Sequence, residues 1–137
     1  MRLILFIAAL LYITSADAGD LEVTIQGLRN GDGMMRLALF DQASEFPRGQ
    51  DIRDHDIAAK PGEIRVIFKD LKPGEYALAI HHDENTNKSM DTNFFGLPLE
   101  GYGFSNNARV FFGPPSFEAA AFKVGDGNSW ISLKVVY

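Results

Sequence analysis

A period of two constrains this chain more than any other feature. Leu21, Val23 and Ile25 alternate with Glu22, Thr24 and Gln26. Successive side chains of a strand point to opposite faces, so the pattern describes a strand with one face in a core and one in water. It returns along the chain. Met35, Leu37 and Leu39 share a face within 34–41, and Ile64, Val66 and Phe68 alternate with Glu63, Arg65, Ile67 and Lys69. Tyr76, Leu78 and Ile80 follow, and Ile131, Leu133, Val135 and Tyr137 come last. Turn residues separate these runs: Gly31-Asp32-Gly33, Lys72-Pro73-Gly74 and Gly125-Asp126-Gly127-Asn128. No helical period beyond Ala18 exceeds two turns. The pattern predicts an all-β fold, an antiparallel β-sandwich of about seven strands. Residues 21–26 and 34–41 are expected to form the first hairpin. The polar stretch Gln42–Gly62, with Pro47, Gly49 and Pro61, reads as a long loop, and Ala108–Phe112 as a further strand.

The 137 residues suit one domain, and 46% apolar with 23% charged residues is normal for a folded soluble protein. A net charge of -5 argues against a general nucleic-acid binder. The absence of cysteine excludes disulfides, zinc–thiolate sites, iron–sulfur clusters and thiol nucleophiles. Arg2 precedes an apolar run, Leu3–Ile13, too short to span a hydrocarbon core of about 30 Å as a helix. Ala16 and Ala18 then supply a small-x-small cleavage pattern. Residues 1–18 are therefore expected to be a signal peptide cleaved after Ala18. Residues 19–137 are expected to be one exported domain, periplasmic or secreted, with no membrane span. No cysteine follows the run, so no lipid anchor is expected.

Residues 84–115 are too long for a hairpin turn, and long loops are commonly functional. Six of the 16 aromatics lie here: Phe94, Phe95, Tyr102, Phe104, Phe111 and Phe112. The segment is expected to pack on the small-residue face of Ala77 and Ala79. After Pro114-Pro115, Ser116 reads as a helix N-cap with Glu118 in the first turn, which predicts one short helix at 117–121.

Within this region Asp83, Asn85, Asn87 and Asp91 stand at positions one, three, five and nine of a D-x-N-x-N-x-x-x-D run. Oxygen ligands at alternate positions of a tight loop can converge on a hard cation, and the Ser89 carbonyl falls at position seven. The pattern points to weak, structural calcium binding. Position six is Lys88 rather than glycine, and position 12 is Phe94 rather than glutamate. Glu84 or Glu100 could add a ligand by folding back. The competing reading is an Asx-rich turn that binds nothing.

The other polar residues carry less. His81 and His82 are adjacent on a strand and face opposite ways, so they do not share one ion; His82 continues the core face. His55 lies between Asp54 and Asp56 with no partner at ligand spacing. No G-x-S-x-G motif is present. Tyr102, Phe104, Asn106 and Asn107 are the candidates for contact with a partner, and Trp130 with Tyr102 could stack on a sugar.

The run HDENTNKSMDTNFFGLPLEGYGFSNNARVFFGPPSFEAAAF, His82–Phe122, resembles the bacterial DUF 2141 family, small exported proteins whose function is not established. EGYGFSNN and FGPPSFE are its most specific parts. The resemblance extends over nearly all of 19–137 and implies a β-sandwich. The family usually has glycine where this chain has Thr86 and Lys88. Leu71–Tyr76 also resembles the Pro-Gly-x-Tyr strand entry of transthyretin-like and adhesin B-type sandwiches. Together these readings give a non-enzymatic exported module that binds a ligand or envelope partner through 84–115. The alternatives are a hydrolase of envelope or extracellular polymers using Asp83, Asp91 or Glu100, and a purely structural envelope protein.

Overall fold

The computed structural model describes residues 17–137. The expected signal peptide lies, through Ala16, outside the described residues. Eight strands follow: β1 (Gly19–Leu28), β2 (Met34–Phe40), β3 (Arg53–Ala58), β4 (Gly62–Leu71), β5 (Gly74–Asp83), β6 (Gly101–Phe104), β7 (Phe122–Val124) and β8 (Ser129–Lys134). One sheet has the order β4-β1-β8. The other has the order β3-β2-β5-β6, with β7 paired to the start of β5. The pairs are antiparallel except β1–β8, which is parallel with Val23 opposite Ile131. The two inner faces meet in a core of Leu21, Val23 and Ile25 with Met35, Leu37, Leu39, Phe68, Leu78, Ile80 and Leu133. This is the all-β sandwich that the alternation predicts.

The expected first hairpin does not form. β1 pairs with β4 and β8, while β2 pairs with β3 and β5, so the chain crosses between sheets at residues 29–33. An apolar face needs a second apolar face opposite it, and alternation cannot say whether its sequence neighbour lies beside it or across the core. Gly33 makes this crossing possible. Its φ is 65°, and a Cβ there would stand 2.0 Å from the Asp83 carbonyl oxygen. The Lys72-Pro73 turn joins the two sheets in the same way.

The expected loop at 42–62 contains β3. Asp54 lies opposite Ala38 and Asp56 opposite Arg36. Charges on both faces of Arg53-Asp54-His55-Asp56 conceal the period, and they suit an edge strand that must not recruit another chain. The strand expected at Ala108–Phe112 is absent: these residues pair with no neighbouring strand, and Phe112 at their end has φ 51°. The strand is instead β6, whose outer edge bridges Val136 through Tyr102. Gly103 permits that crossing, since a Cβ would lie 2.6 Å from the Lys134 carbonyl oxygen. The short helix α1 spans Phe117–Ala120, and the Ser116 hydroxyl accepts from Ala119 N at 3.2 Å.

Candidate functional site

β5 delivers His81, His82 and Asp83 to the end of the second sheet, and they divide between its faces. His82 is fully buried in the core. Its Nε2 lies 2.8 Å from the Asp32 carbonyl and its Nδ1 2.6 Å from the Tyr137 hydroxyl. A carbonyl only accepts, so Nε2 carries the proton and Tyr137 donates to Nδ1. The Tyr137 hydroxyl in turn accepts from Arg29 N at 3.2 Å, and burial pushes its pKa up. His82 is thus a satisfied core residue.

Asp83 opens the D-x-N-x-N loop on the opposite face and is also fully buried. Its Oδ2 accepts from Arg36 Nε at 2.7 Å and Lys88 N at 2.9 Å, and its Oδ1 accepts from Asn87 N at 3.1 Å. Burial alone would raise the pKa of this carboxyl. The Arg36 and Lys88 hydrogen bonds outweigh it and hold the group below its ordinary value. The loop then folds over itself. Asn87 N reaches Asn85 Oδ1 at 3.1 Å, and Ser89 N reaches Asn87 Oδ1 at 2.9 Å. The amide nitrogens of Asn85 and Asn87 both donate to the Asp91 carboxylate, at 2.5 Å and at 3.0 and 3.2 Å. Positions three and five therefore converge on position nine, while position one is tied to the loop through Asn87 N and Lys88 N. Thr86 and Lys88 have φ of 60° and 65°. The loop requires left-handed backbone at both positions, which glycine adopts freely and a side chain resists.

Glu100 folds back onto this loop. It is buried, its Oε1 accepts from Glu84 N at 3.0 Å, and its Oε2 accepts from Asp91 N at 3.2 Å. The same Oε2 lies 2.7 Å from His81 Nε2. Glu100 thus ties both ends of the loop to β5. His81, Asp83 and Glu100 each place one ligand atom within 4.8 Å of the others. Both oxygens of Asp83, Asp91 and Glu100 accept hydrogen bonds from residues of the loop and from Arg36.

On the outer face of the second sheet, Arg36, Ala38, Ala79, His81, Tyr102 and Phe104 stand side by side beneath residues 90–114. Between sheet and segment lies an open groove of about 950 Å³. Arg36 closes its polar end, paired to Asp83 and, through Nη1, to Asp56. Asp54 also lines it. Of the six aromatics expected to pack, Tyr102 and Phe104 do so on the sheet. Phe94, Phe95, Phe111 and Phe112 are 76–108% exposed, and Phe95 and Phe112 line the groove.

The partner candidates divide likewise. Tyr102 and Phe104 face the groove. Asn106 Nδ2 donates to Ala121 O at 2.7 Å, and Asn107 Oδ1 accepts from Lys134 N at 2.9 Å, so both amides hold the backbone. Trp130 is exposed on the other sheet, away from Tyr102. Arg36, Asp54 and Asp56 were not among the candidates. The alternating charges of Arg53-Asp54-His55-Asp56 were their only signal in the sequence.

Among the described residues, no helix is long and apolar enough to cross a membrane. No curated protein and no solved structure matches the chain. A family model does match, over residues 23–132, and its description is an uncharacterized protein conserved in bacteria. The match includes both core sheets, the Asp83–Asp91 loop and the segment over the groove, and on that extent the chain belongs to the DUF2141 family.

Proposed function

We propose that residues 19–137 form an exported, non-enzymatic binding module in which the 83–91 loop takes calcium and thereby sets the 84–115 segment over the groove. The observation that carries this reading is the convergence of Asn85 and Asn87 on the Asp91 carboxylate, beside a buried Asp83. A cation there would meet the Asp91 carboxylate, and turning the two amides by half a rotation would bring in the Asn85 and Asn87 oxygens at the cost of the hydrogen bonds these now accept from Asn87 N and Ser89 N. Arg36 and Lys88 offset the two carboxylates, so affinity belongs to the weak range of extracellular modules, about 10⁻⁴–10⁻³ M.

Calcium at about 10 mM should then stabilise the fold by about 1.4–2.7 kcal/mol. Thermal unfolding in calcium, magnesium, zinc and chelator reads this directly. The control is Asp91→Ala, because Asp83 also anchors Arg36. A rise confined to calcium and lost in Asp91→Ala supports the reading. No rise, or the same rise in the variant, overturns it. Intact mass of the exported product should begin at Gly19, and a product retaining Met1 overturns the export.

A further inference from the structure

We propose that the groove beneath residues 90–114 binds one uncharged amphiphile, an apolar chain or ring lying over Ala38 and Ala79 and ending in a hydroxyl group held between Arg36 and His81. This names the ligand class of the module above and rests on that reading.

The floor carries the first part of the argument. Ala38 stands directly opposite Ala79 across the β2–β5 ladder. Two methyl side chains there leave a slot in an otherwise bulky face. Tyr102, Phe104 and Phe112 wall it, and its volume of about 950 Å³ lies within the usual range of small-molecule sites, about 300–1,000 Å³. An apolar body is what such walls recognise.

The polar end fixes the head group. Arg36 and His81 are cross-strand partners on one face, so their side chains are immediate neighbours. Arg36 gives Nε to Asp83 and Nη1 to Asp56, and Nη2 has no partner among the described residues. His81 Nε2 is taken by Glu100, and its Nδ1 has no hydrogen-bond partner among the described residues. A hydroxyl, which both donates and accepts, pairs with the Arg36 N–H and with the imidazole nitrogen in either of its roles. Charge favours neither alternative. Arg36 and Arg48 line the groove together with Asp54 and Asp56, so neither an anionic nor a cationic head meets a net complementary charge.

Calorimetric titration with three submicellar probes of equal chain length tests the proposal: monolauroylglycerol, laurate and dodecyltrimethylammonium. The uncharged probe should bind one to one and about tenfold or more tighter than either charged one. Ala79→Leu fills the floor and should weaken it about tenfold while unfolding at the wild-type temperature. If that variant does not fold, Phe112→Ala, on an exposed turn, should weaken binding without affecting the fold. Absence of saturable binding overturns the proposal, as does equal affinity for a charged probe or undiminished binding by a folded variant. Repeating the titration in chelator separates the two readings. Binding that persists there keeps the groove and removes calcium from its ordering. Stabilisation by calcium without amphiphile binding does the reverse.

Discussion

Replacing Glu100 with glutamine tests whether this buried carboxylate is the strap that closes the 84–100 segment. It receives three donors: Glu84 N at 3.0 Å, Asp91 N at 3.2 Å and His81 Nε2 at 2.7 Å. Glutamine has one carbonyl oxygen and one NH2 group. With the oxygen toward His81 and Asp91, the NH2 confronts Glu84 N–H. With the amide reversed, it confronts the other two. The better orientation still leaves one buried donor unpaired, at about 1–3 kcal/mol, and turns the charge-assisted bond to His81 into a neutral one, at about 1 kcal/mol. The expected loss is about 3 kcal/mol, or about 10 °C in Tm for a domain of this size. Thermal and urea unfolding measure it, with Glu118→Gln at an exposed helix start as the control within about 0.5 kcal/mol. Hydrogen exchange at the amides of Glu84 and Asp91 should accelerate in Glu100→Gln alone. A Tm loss below about 2 °C with unchanged exchange at both amides would refute the strap.

Acid should act through the same end of β5. Asp83 and Glu84 are both held below their ordinary range. Burial opposes this in each case, but Arg36 and Lys88 N outweigh it at Asp83, and Asn30 and Arg29 at Glu84. A depressed folded pKa contributes stability above the unfolded value, about 4, and loses it as pH falls through the lower folded value. Tm should therefore hold from neutral pH to about 5 and fall below about 4, less steeply in Asp83→Asn, and a parallel profile in that variant would contradict the assignment. Ser105→Ala should cost about 2 kcal/mol in urea unfolding. The buried hydroxyl accepts from Leu78 N at 2.9 Å and donates to Ala120 O at 2.5 Å, so the alanine strands a β5 N–H. Lys88→Gly should remove left-handed strain worth about 1 kcal/mol and strengthen calcium binding. Both are read by unfolding with and without calcium, and an unchanged calcium response would count against the loop as a metal site.

The sheets were legible where one face is dry. Leu21, Val23 and Ile25 face the core without exception, and so do Leu37 and Leu39 and Leu78 and Ile80. Which strands pair was not legible, because the same alternation serves a neighbour in the sheet and a neighbour across the core. β3 escaped for the opposite reason. Arg53-Asp54-His55-Asp56 is exposed on both faces, and the strand is held by the ladder with β2 and by Ile57, its one apolar side chain packed against the core. The turn chemistry was partly legible. Ser116 caps its helix as its residue type predicts, whereas the left-handed Phe112 that ends the expected strand at 108–112 carries no sequence signal.

The candidate site divides along the same line between local and distant. The loop could be read because its four oxygen-bearing side chains lie within nine residues, so spacing alone brings them together. The groove could not, because Arg36, Asp54, Ala79 and Phe112 come from four separate segments; the register of β2, β3 and β5 aligns the first three, and the segment over the sheet brings Phe112. One side chain belongs to both. Arg36 places Nε on Asp83, the first residue of the loop, while its Nη2 remains open beside the groove. On the proposed reading, a cation that draws on Asp83 also changes how firmly Arg36 is held, and therefore what its free nitrogen offers a ligand. Linkage makes such an effect reciprocal. A bound hydroxyl that steadies Arg36 would tighten the loop for calcium by the factor with which calcium tightens the groove for its ligand. Two independent sites on one sandwich would give a factor of one in both directions.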